Sequence, residues 1–431
     1  MAKAKTENPA PKKATKKAAK KTTKKAAAKK GGKGKLGQAR EMLNKALKSN
    51  DWESSLDPKA ARLSLPHLPT GSMIIDYLIG GKPNRHGVPP CPGLPKGKIL
   101  NLYGHEGSGK TTIALTAAAT TLANDPNASC VYIDWEHEVV PDYAAALGVP
   151  IGDPDRFMLC QPDTLDEGIA ILWTMASAGI DLIVLDSVGA GVPKAYFEKS
   201  VAETADQGRV GMNAAVWSQF LPKLKGRINK TGSHVIGISQ IRSAINTRGY
   251  GDPITVQGGK AWKFYSALRM KLQRVKTEKN SDYSVLTNKT EERVTGAIIK
   301  AKLDKCKVSP QQGNEELFYI RWGEGIDDLR SMIEIGISHK IVKKAGAWIG
   351  WMQPDGEELR MQGMEKFRKA FMADKALQKA LEKQIKPYMA GSGATDDEDE
   401  SEVFEGEGIV DDAELAEILG SISGDLSTDE D

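Results

Sequence analysis

Residues 98–124 read KILNLYGHEGSGKTTIALTAAATTLAN, and the order of residue types in this stretch decides the fold. KILNLYG is a short apolar run, as a strand covered on both faces requires. TTIALTAAATTLAN (111–124) has the length and the Ala/Leu content of a helix. Between them GHEGSGKT (104–111) fits G-x-x-x-x-G-K-[ST]. A strand, a glycine-rich turn and a helix start in succession make a phosphate-binding loop. Its glycines let backbone N–H groups converge on phosphate oxygens at the positive end of the helix. Gly104, His105, Glu106, Gly107, Ser108 and Gly109 form the cradle, and Thr112 follows in the first helical turn. Lys110 is placed to pair with the β- and γ-phosphates, and the Thr111 hydroxyl to bind Mg²⁺. With 43 glycines in the chain, chance matches to the pattern arise; the strand-before, helix-after context separates this one from them.

Three more apolar runs recur along the chain: SCVYIDW (129–135), DLIVLDS (181–187) and HVIGISQ (234–240). Helical-period segments lie among them, such as DEGIAILWTMASAG (166–179). This alternation predicts an α/β fold with a mostly parallel sheet flanked by crossover helices. Ligands collect at the carboxyl ends of parallel strands, so polar residues there carry weight. Asp186 closes LIVLD and is a carboxylate suited to hold Mg²⁺ through water; Gln240 ends VIGISQ with a neutral amide for a γ-phosphate. Glu136 follows VYIDW, and on spacing alone it shares with Asp134 and Glu138 the candidacy for polarising a water. Each of these is weak singly, because an acid after a strand is commonly a helix cap or a turn residue.

Charge divides the chain. Residues 1–35 hold fourteen lysines and one acid, Glu7, whereas 390–431 hold sixteen acids and no Lys or Arg. Such blocks cannot bury enough apolar surface to offset chain entropy and are expected to be disordered. The basic arm is suited to attract nucleic acid, although solubility alone also accounts for a Lys/Ala tail. The expected order is a basic arm (1–35), a helical segment for protomer contact (36–64), the α/β core (65–325), a small, mainly helical C-terminal domain (326–389) and the acidic tail. No apolar run is long enough for a membrane span. Cys91, Cys130, Cys160 and Cys306 stand far apart, which argues for free thiols in a reducing, cytoplasmic compartment rather than for zinc.

GHEGSGKTT, YIDWEH, QPDTLDEGIAI, LIVLDSV, SQIR, QGGKAWKFYSALR and KAGAW, in this order, resemble the RecA family of bacterial and phage recombinases. TGSMIIDYLIGG and GLPKGKI upstream are similar too, and the likeness spans roughly 65–385. The resemblance implies a RecA-like P-loop ATPase core that uses ATP and Mg²⁺, assembles into a helical filament on single-stranded DNA, and exchanges strands with duplex DNA. It implies nucleoid association and, as helpers, single-strand-binding and mediator proteins. It selects Glu136 as the water-activating acid, Tyr143 as the residue stacked on adenine, and Gln240 as the γ-phosphate sensor. DNA loops are implied near 200–212, with Arg209 and Gly211, and at 242–259, with Arg242, Arg248, Gly258 and Gly259. Lys263, Phe264, Lys300 and Lys302 match residues that reach the neighbouring protomer's nucleotide. Without the resemblance, IIKAKLDKCK (298–307) reads as a basic edge strand.

The sequence departs from the family pattern at Val140, where an acid is usual near adenine, and at Ala215 and Pro222, where arginines are usual. Arg209 and Arg227 lie nearby as substitutes. The insertion KPNRHGVPPCP (82–92) reads as an exposed loop. A hexameric helicase built on the same core, or a regulatory ATP-binding module, are the competing readings. The first would carry an arginine finger and form closed rings; the second would turn over ATP without DNA.

Overall fold

A computed structural model describes residues 63–197, 212–243, 254–284 and 289–389, which belong to one compact unit. Both charged tails and the 36–62 segment lie outside the described residues. The strands are β1 (His67–Leu68), β2 (Leu94–Pro95), β3 (Ile99–Gly104), β4 (Cys130–Asp134), β5 (Phe157–Cys160), β6 (Leu182–Asp186), β7 (His234–Ser243), β8 (Ile254–Val256), β9 (Leu268–Ser284), β10 (Lys289–Cys306), β11 (Glu315–Arg321) and β12 (Gly325–Ile326). The helices among them are α1 (Met73–Asp76), α2 (Lys110–Asn124), α3 (Pro141–Ala146), α4 (Leu165–Ala178), α5 (Lys194–Phe197), α6 (Met212–Thr231) and α7 (Lys260–Tyr265).

The main sheet runs β12-β11-β10-β9-β3-β7-β6-β4-β5, with β8 paired to β7. From β9 to β5 every neighbouring pair is parallel, and the β9–β12 side is antiparallel. Alternate residues of the parallel strands enter two separate cores. Leu100, Leu102, Tyr132, Val184 and Ile236 pack with α2, while Ile99, Val131, Ile133, Ile183 and Val235 pack with α4 and α6. That two-sided burial is why these strands read as continuous apolar runs. Register then sets the site: Gly104 pairs with Gln240, and Asp134 with Asp186.

β10 is not an edge strand. It pairs with β9 on one side and β11 on the other, because Ala297, Ile299, Ala301 and Leu303 bury one face while Lys300 and Lys302 take the other. The 82–92 insertion is part exposed and part half-buried, with Cys91 anchored inside: its N–H donates to Gly80 O at 3.2 Å. After the sheet come α8 (Asp328–Ser338), a three-stranded antiparallel sheet of β13 (Val342–Ala345), β14 (Trp348–Met352) and β15 (Glu358–Gln362), then α9 (Met364–Ala373) and α10 (Lys375–Ile385). Helical residues predominate here. The small sheet went unread because its strands are short and KIVKKAGAW carries as much helical as strand character. Among the described residues no helix is long and apolar enough to cross a membrane.

The start of α8 is bonded to the start of α1. Asp328 accepts from the Ser72 hydroxyl at 2.6 Å and from the Met73 N–H, and Asp76 accepts from Thr70 N–H at 2.9 Å. Desolvation pushes Asp76 up to about 7 and Asp328 up to about 6, each hydrogen bond pulling the other way. The folded state therefore holds protons that the unfolded chain releases near pH 4, and the stability these groups contribute is lost as pH rises towards 7. Asp76→Asn keeps an acceptor for Thr70 but removes the titration. Its stability relative to the parent should rise between pH 5 and pH 8, as read by urea unfolding at each pH; a constant difference would contradict the burial argument.

Candidate nucleotide-binding site

The phosphate loop leaves β3 at Gly104, where a Cβ would lie 2.3 Å from Leu272 O, so only glycine passes. Gly109 takes φ 84° at the helix N-cap, a left-handed conformation that glycine adopts without strain. Lys110 is buried and folds back along the loop, donating to Gly104 O at 3.2 Å and His105 O at 2.8 Å. Burial lowers its pKa, opposed by the charges of Asp186, Glu136 and Glu106. The Ser108 hydroxyl closes the loop onto His105 O at 2.7 Å.

Asp186 stands at the end of β6 facing the first turn of α2. One of its oxygens accepts from Thr111 Oγ1 at 2.8 Å and from the Tyr132 hydroxyl at 2.7 Å. Burial pushes its pKa up to about 6; the two hydrogen bonds oppose this, and Glu136 and Asp134 add to it. A buried carboxylate beside two others is a place that favours a cation. Its hard oxygen donors, with the Thr111 hydroxyl, suit Mg²⁺. Tyr132 escaped the sequence reading, since a tyrosine inside VYID is indistinguishable from a core residue until the alternation is fixed.

Among the three acids after β4, the geometry distinguishes sharply. Asp134 is buried and organises the turn, accepting from Glu136 N–H at 3.1 Å, Val139 N–H at 3.2 Å and Gln161 Nε2 at 3.2 Å. Glu138 is exposed. Glu136 meets the other site residues: Gln240 Nε2 donates to its two oxygens at 3.0 and 3.2 Å, and the Ser187 hydroxyl donates to it as well. Tyr143, on α3, shares a 2.8 Å hydrogen bond with Thr112 Oγ1 beside the loop, near the exposed Val140.

The remaining candidates sit among other neighbours. Phe264, on α7, is 66% exposed, and Lys263 is also exposed. Lys305, absent from the sequence reading, donates to the carbonyls of both, at 2.8 and 3.0 Å. Lys300 makes an exposed ion pair with Glu315 at 3.3 Å, and Lys302 is exposed on the same face. Arg227 stacks over Trp173, 4.9 Å from the ring centroid. Gly258 and Gly259 lie against Trp262 and Ala214 at the end of the second loop. Arg242 is placed by its backbone on β7, opposite Thr255. Arg209, Gly211 and Arg248 lie outside the described residues.

A phosphate loop at the carboxyl end of the interior strand β3, with polar residues gathered at neighbouring strand ends, defines a P-loop nucleotide-binding protein. Residues 55–327 match the RecA N-terminal domain, and the chain belongs to the RecA family. It is 36% identical over 341 residues to Protein RecA of Paenarthrobacter aurescens, covering 79% of this chain and 88% of that relative. Protein RecA of Mycolicibacterium vanbaalenii is 36% identical over 332 residues, covering 77% and 85%. Protein RecA of Mycobacterium ulcerans shows the same identity over 332 residues, covering 77% and 86%.

The geometry separates two variants. Lys110→Ala should weaken ATP binding itself. Glu136→Gln should leave binding intact while turnover falls about 10²-fold or more, as for a lost general base. Calorimetric ATP affinity beside steady-state turnover checks this; equal loss of affinity in both variants would contradict the separation.

Proposed function

We propose that the protein is an ATP-driven recombination and repair protein that forms a filament on single-stranded DNA and pairs it with homologous duplex DNA. Family membership supports the class. The observation that carries the mechanism is the Gln240–Glu136 contact at the phosphate end of the pocket. The backbone N–H groups of 104–109 and Lys110 hold the triphosphate, and Tyr143 holds the adenine. Thr111 directly, and Asp186 through water, would hold Mg²⁺, which would supply charge neutralisation for the triphosphate. Glu136 aligns the attacking water. Gln240 is poised to exchange its carboxylate partner for the γ-phosphate, so nucleotide state biases the 242–259 segment that follows it on β7.

Lys300 and Lys302 lie on β10, and Lys300 pairs with the exposed Glu315. In this reading they stabilise charge developing on the nucleotide of a neighbouring protomer, which ties hydrolysis to assembly. DNA lies along the filament with its phosphates on basic side chains and backbone N–H groups, including Arg209, Gly211, Arg242, Arg248, Gly258 and Gly259. Base pairing between strands then tests homology. Five regions divide the work: the basic arm 1–35 recruiting DNA, 36–64 contacting a protomer, the core 65–325, the C-terminal domain 326–389, and the acidic tail 390–431 competing with DNA for cationic surface. Cytoplasmic, nucleoid-associated operation with single-strand-binding and mediator proteins completes the proposal.

A strand-exchange assay between circular single-stranded DNA and homologous linear duplex DNA tests it; DNA-independent turnover without joint molecules would refute it. The shared-site element has its own test. The double substitution Lys300→Ala/Lys302→Ala should abolish DNA-stimulated turnover in a folded protein. Mixing it with Glu136→Gln protein should recover part of the activity, because some mixed interfaces pair an intact Glu136 with intact lysines. No recovery at any ratio, with co-assembly verified, would rule out sites shared between protomers.

A further inference from the structure

We propose that Trp135, Trp217 and Trp262 form a positioning unit that couples the Glu136–Gln240 end of the pocket to the helices following both candidate DNA segments; this rests on the function proposed above. The three residues come from three elements. Trp135 immediately precedes Glu136 at the end of β4, Trp217 lies in α6 after 198–211, and Trp262 lies in α7 after the 242–259 segment. In space they are contiguous. Trp135 and Trp217 have ring centroids 6.4 Å apart at 87°, and Trp217 and Trp262 are 5.1 Å apart at 70°. Both contacts are edge-to-face, the arrangement that aligns one ring's positive edge with the other's negative face.

Hydrogen bonds tie this stack to the pocket. Trp217 Nε1 donates to Val188 O at 2.9 Å, and Val188 N–H donates to Ile238 O at 2.9 Å. Ser187, one residue before Val188, donates its hydroxyl to Glu136, and Ile238 lies two residues before Gln240 on β7. Trp135 Nε1 is anchored on Thr164 O, at the N-cap of α4, at 3.1 Å. Trp217 therefore fixes the short link that contacts the carboxylate.

The surroundings are shaped to the indoles. A Cβ at Gly168 would lie 2.0 Å from the Trp135 ring, and one at Gly237 would lie 2.3 Å from the Trp262 ring. Gly237 is on β7, three residues before Gln240, so Trp262 bears directly on the strand that carries the sensor. Gly258, at φ 88°, passes between Val188 and Trp262. Close-packed rings transmit displacement instead of absorbing it. A shift of Gln240 towards a γ-phosphate is passed through Trp262 and Trp217 to α7 and α6.

The test compares Trp217→Phe with Trp351→Phe. Trp351 is equally buried, donates to Gln384 Oε1 at 2.9 Å and packs 5.3 Å from Phe371, but lies in the C-terminal segment. Both variants lose one indole hydrogen bond and part of a ring. Trp217→Phe should keep its ATP dissociation constant within about twofold, lower DNA-stimulated kcat about tenfold, and cut the ATP-induced gain in single-stranded DNA affinity about fivefold or more, in the range of allosteric couplings. Trp351→Phe should lose stability only. In 5-fluorotryptophan protein, the ¹⁹F signals of residues 135, 217 and 262 should shift together when a non-hydrolysable ATP analogue is added with single-stranded DNA, with that of residue 351 unmoved. This spectrum keeps the proposal open to refutation even if Trp217→Phe fails to fold. Equal kcat and affinity gain in the two folded variants, or unresponsive signals at 217 and 262, would overturn the unit. Glu136→Gln run alongside identifies a deeper failure, because undiminished turnover there overturns the functional reading as well.

Discussion

The register of the parallel sheet is the constraint on which everything else depends. Gly104 lies level with Gln240 on one side and Leu272 on the other, and Asp134 lies level with Asp186. Because side chains alternate faces, a one-residue slip of any of these strands would turn its polar end residue to the opposite face and its apolar set out of the core. The two cores lock that register, since each strand has residues committed to both. Packing energy far from the pocket thus places Glu136, Asp186 and Gln240 around the phosphate loop.

What the sheet assembles is an electrostatically unfinished site. Burial and two neighbouring acids push the Asp186 pKa up, against the hydrogen bonds from the Thr111 and Tyr132 hydroxyls. Lys110, facing them, is itself destabilised as a cation by burial. In the proposed function, triphosphate and a divalent cation would bring complementary charges into that arrangement. Gln240 then has two candidate acceptors, Glu136 or an incoming phosphate, and a neutral amide can move between them without a large change in solvation.

Much of this was legible beforehand. The four apolar runs around 98–104, 129–135, 181–187 and 234–240 are strands, and the helix after the loop begins at Lys110, one residue from the expected start. The phosphate loop was readable because its glycines are required by backbone geometry. β5 was not, since FMLC is short and its middle residues Met158 and Leu159 are exposed. Nor was β10 as an interior strand: its lysines suggested an edge, while its alternation with Ala297, Ile299 and Leu303 is what lets both neighbours pair. Spacing alone could not separate Glu136 from Asp134, because it cannot tell a turn-organising carboxylate from one that meets Gln240 and Ser187. The tryptophan stack was invisible for the same reason, its members being 82 and 45 residues apart in sequence.

In the proposed function one side chain, Gln240, carries the state of the nucleotide to the 242–259 segment behind it. The most direct measurement is the affinity of Gln240→Ala for single-stranded DNA, with and without a non-hydrolysable ATP analogue at saturation, beside the parent protein. The account predicts unchanged nucleotide affinity and loss of most of the ATP-induced gain in DNA affinity, itself about 5- to 150-fold for couplings of this kind. A gain in the variant equal to that of the parent would contradict it.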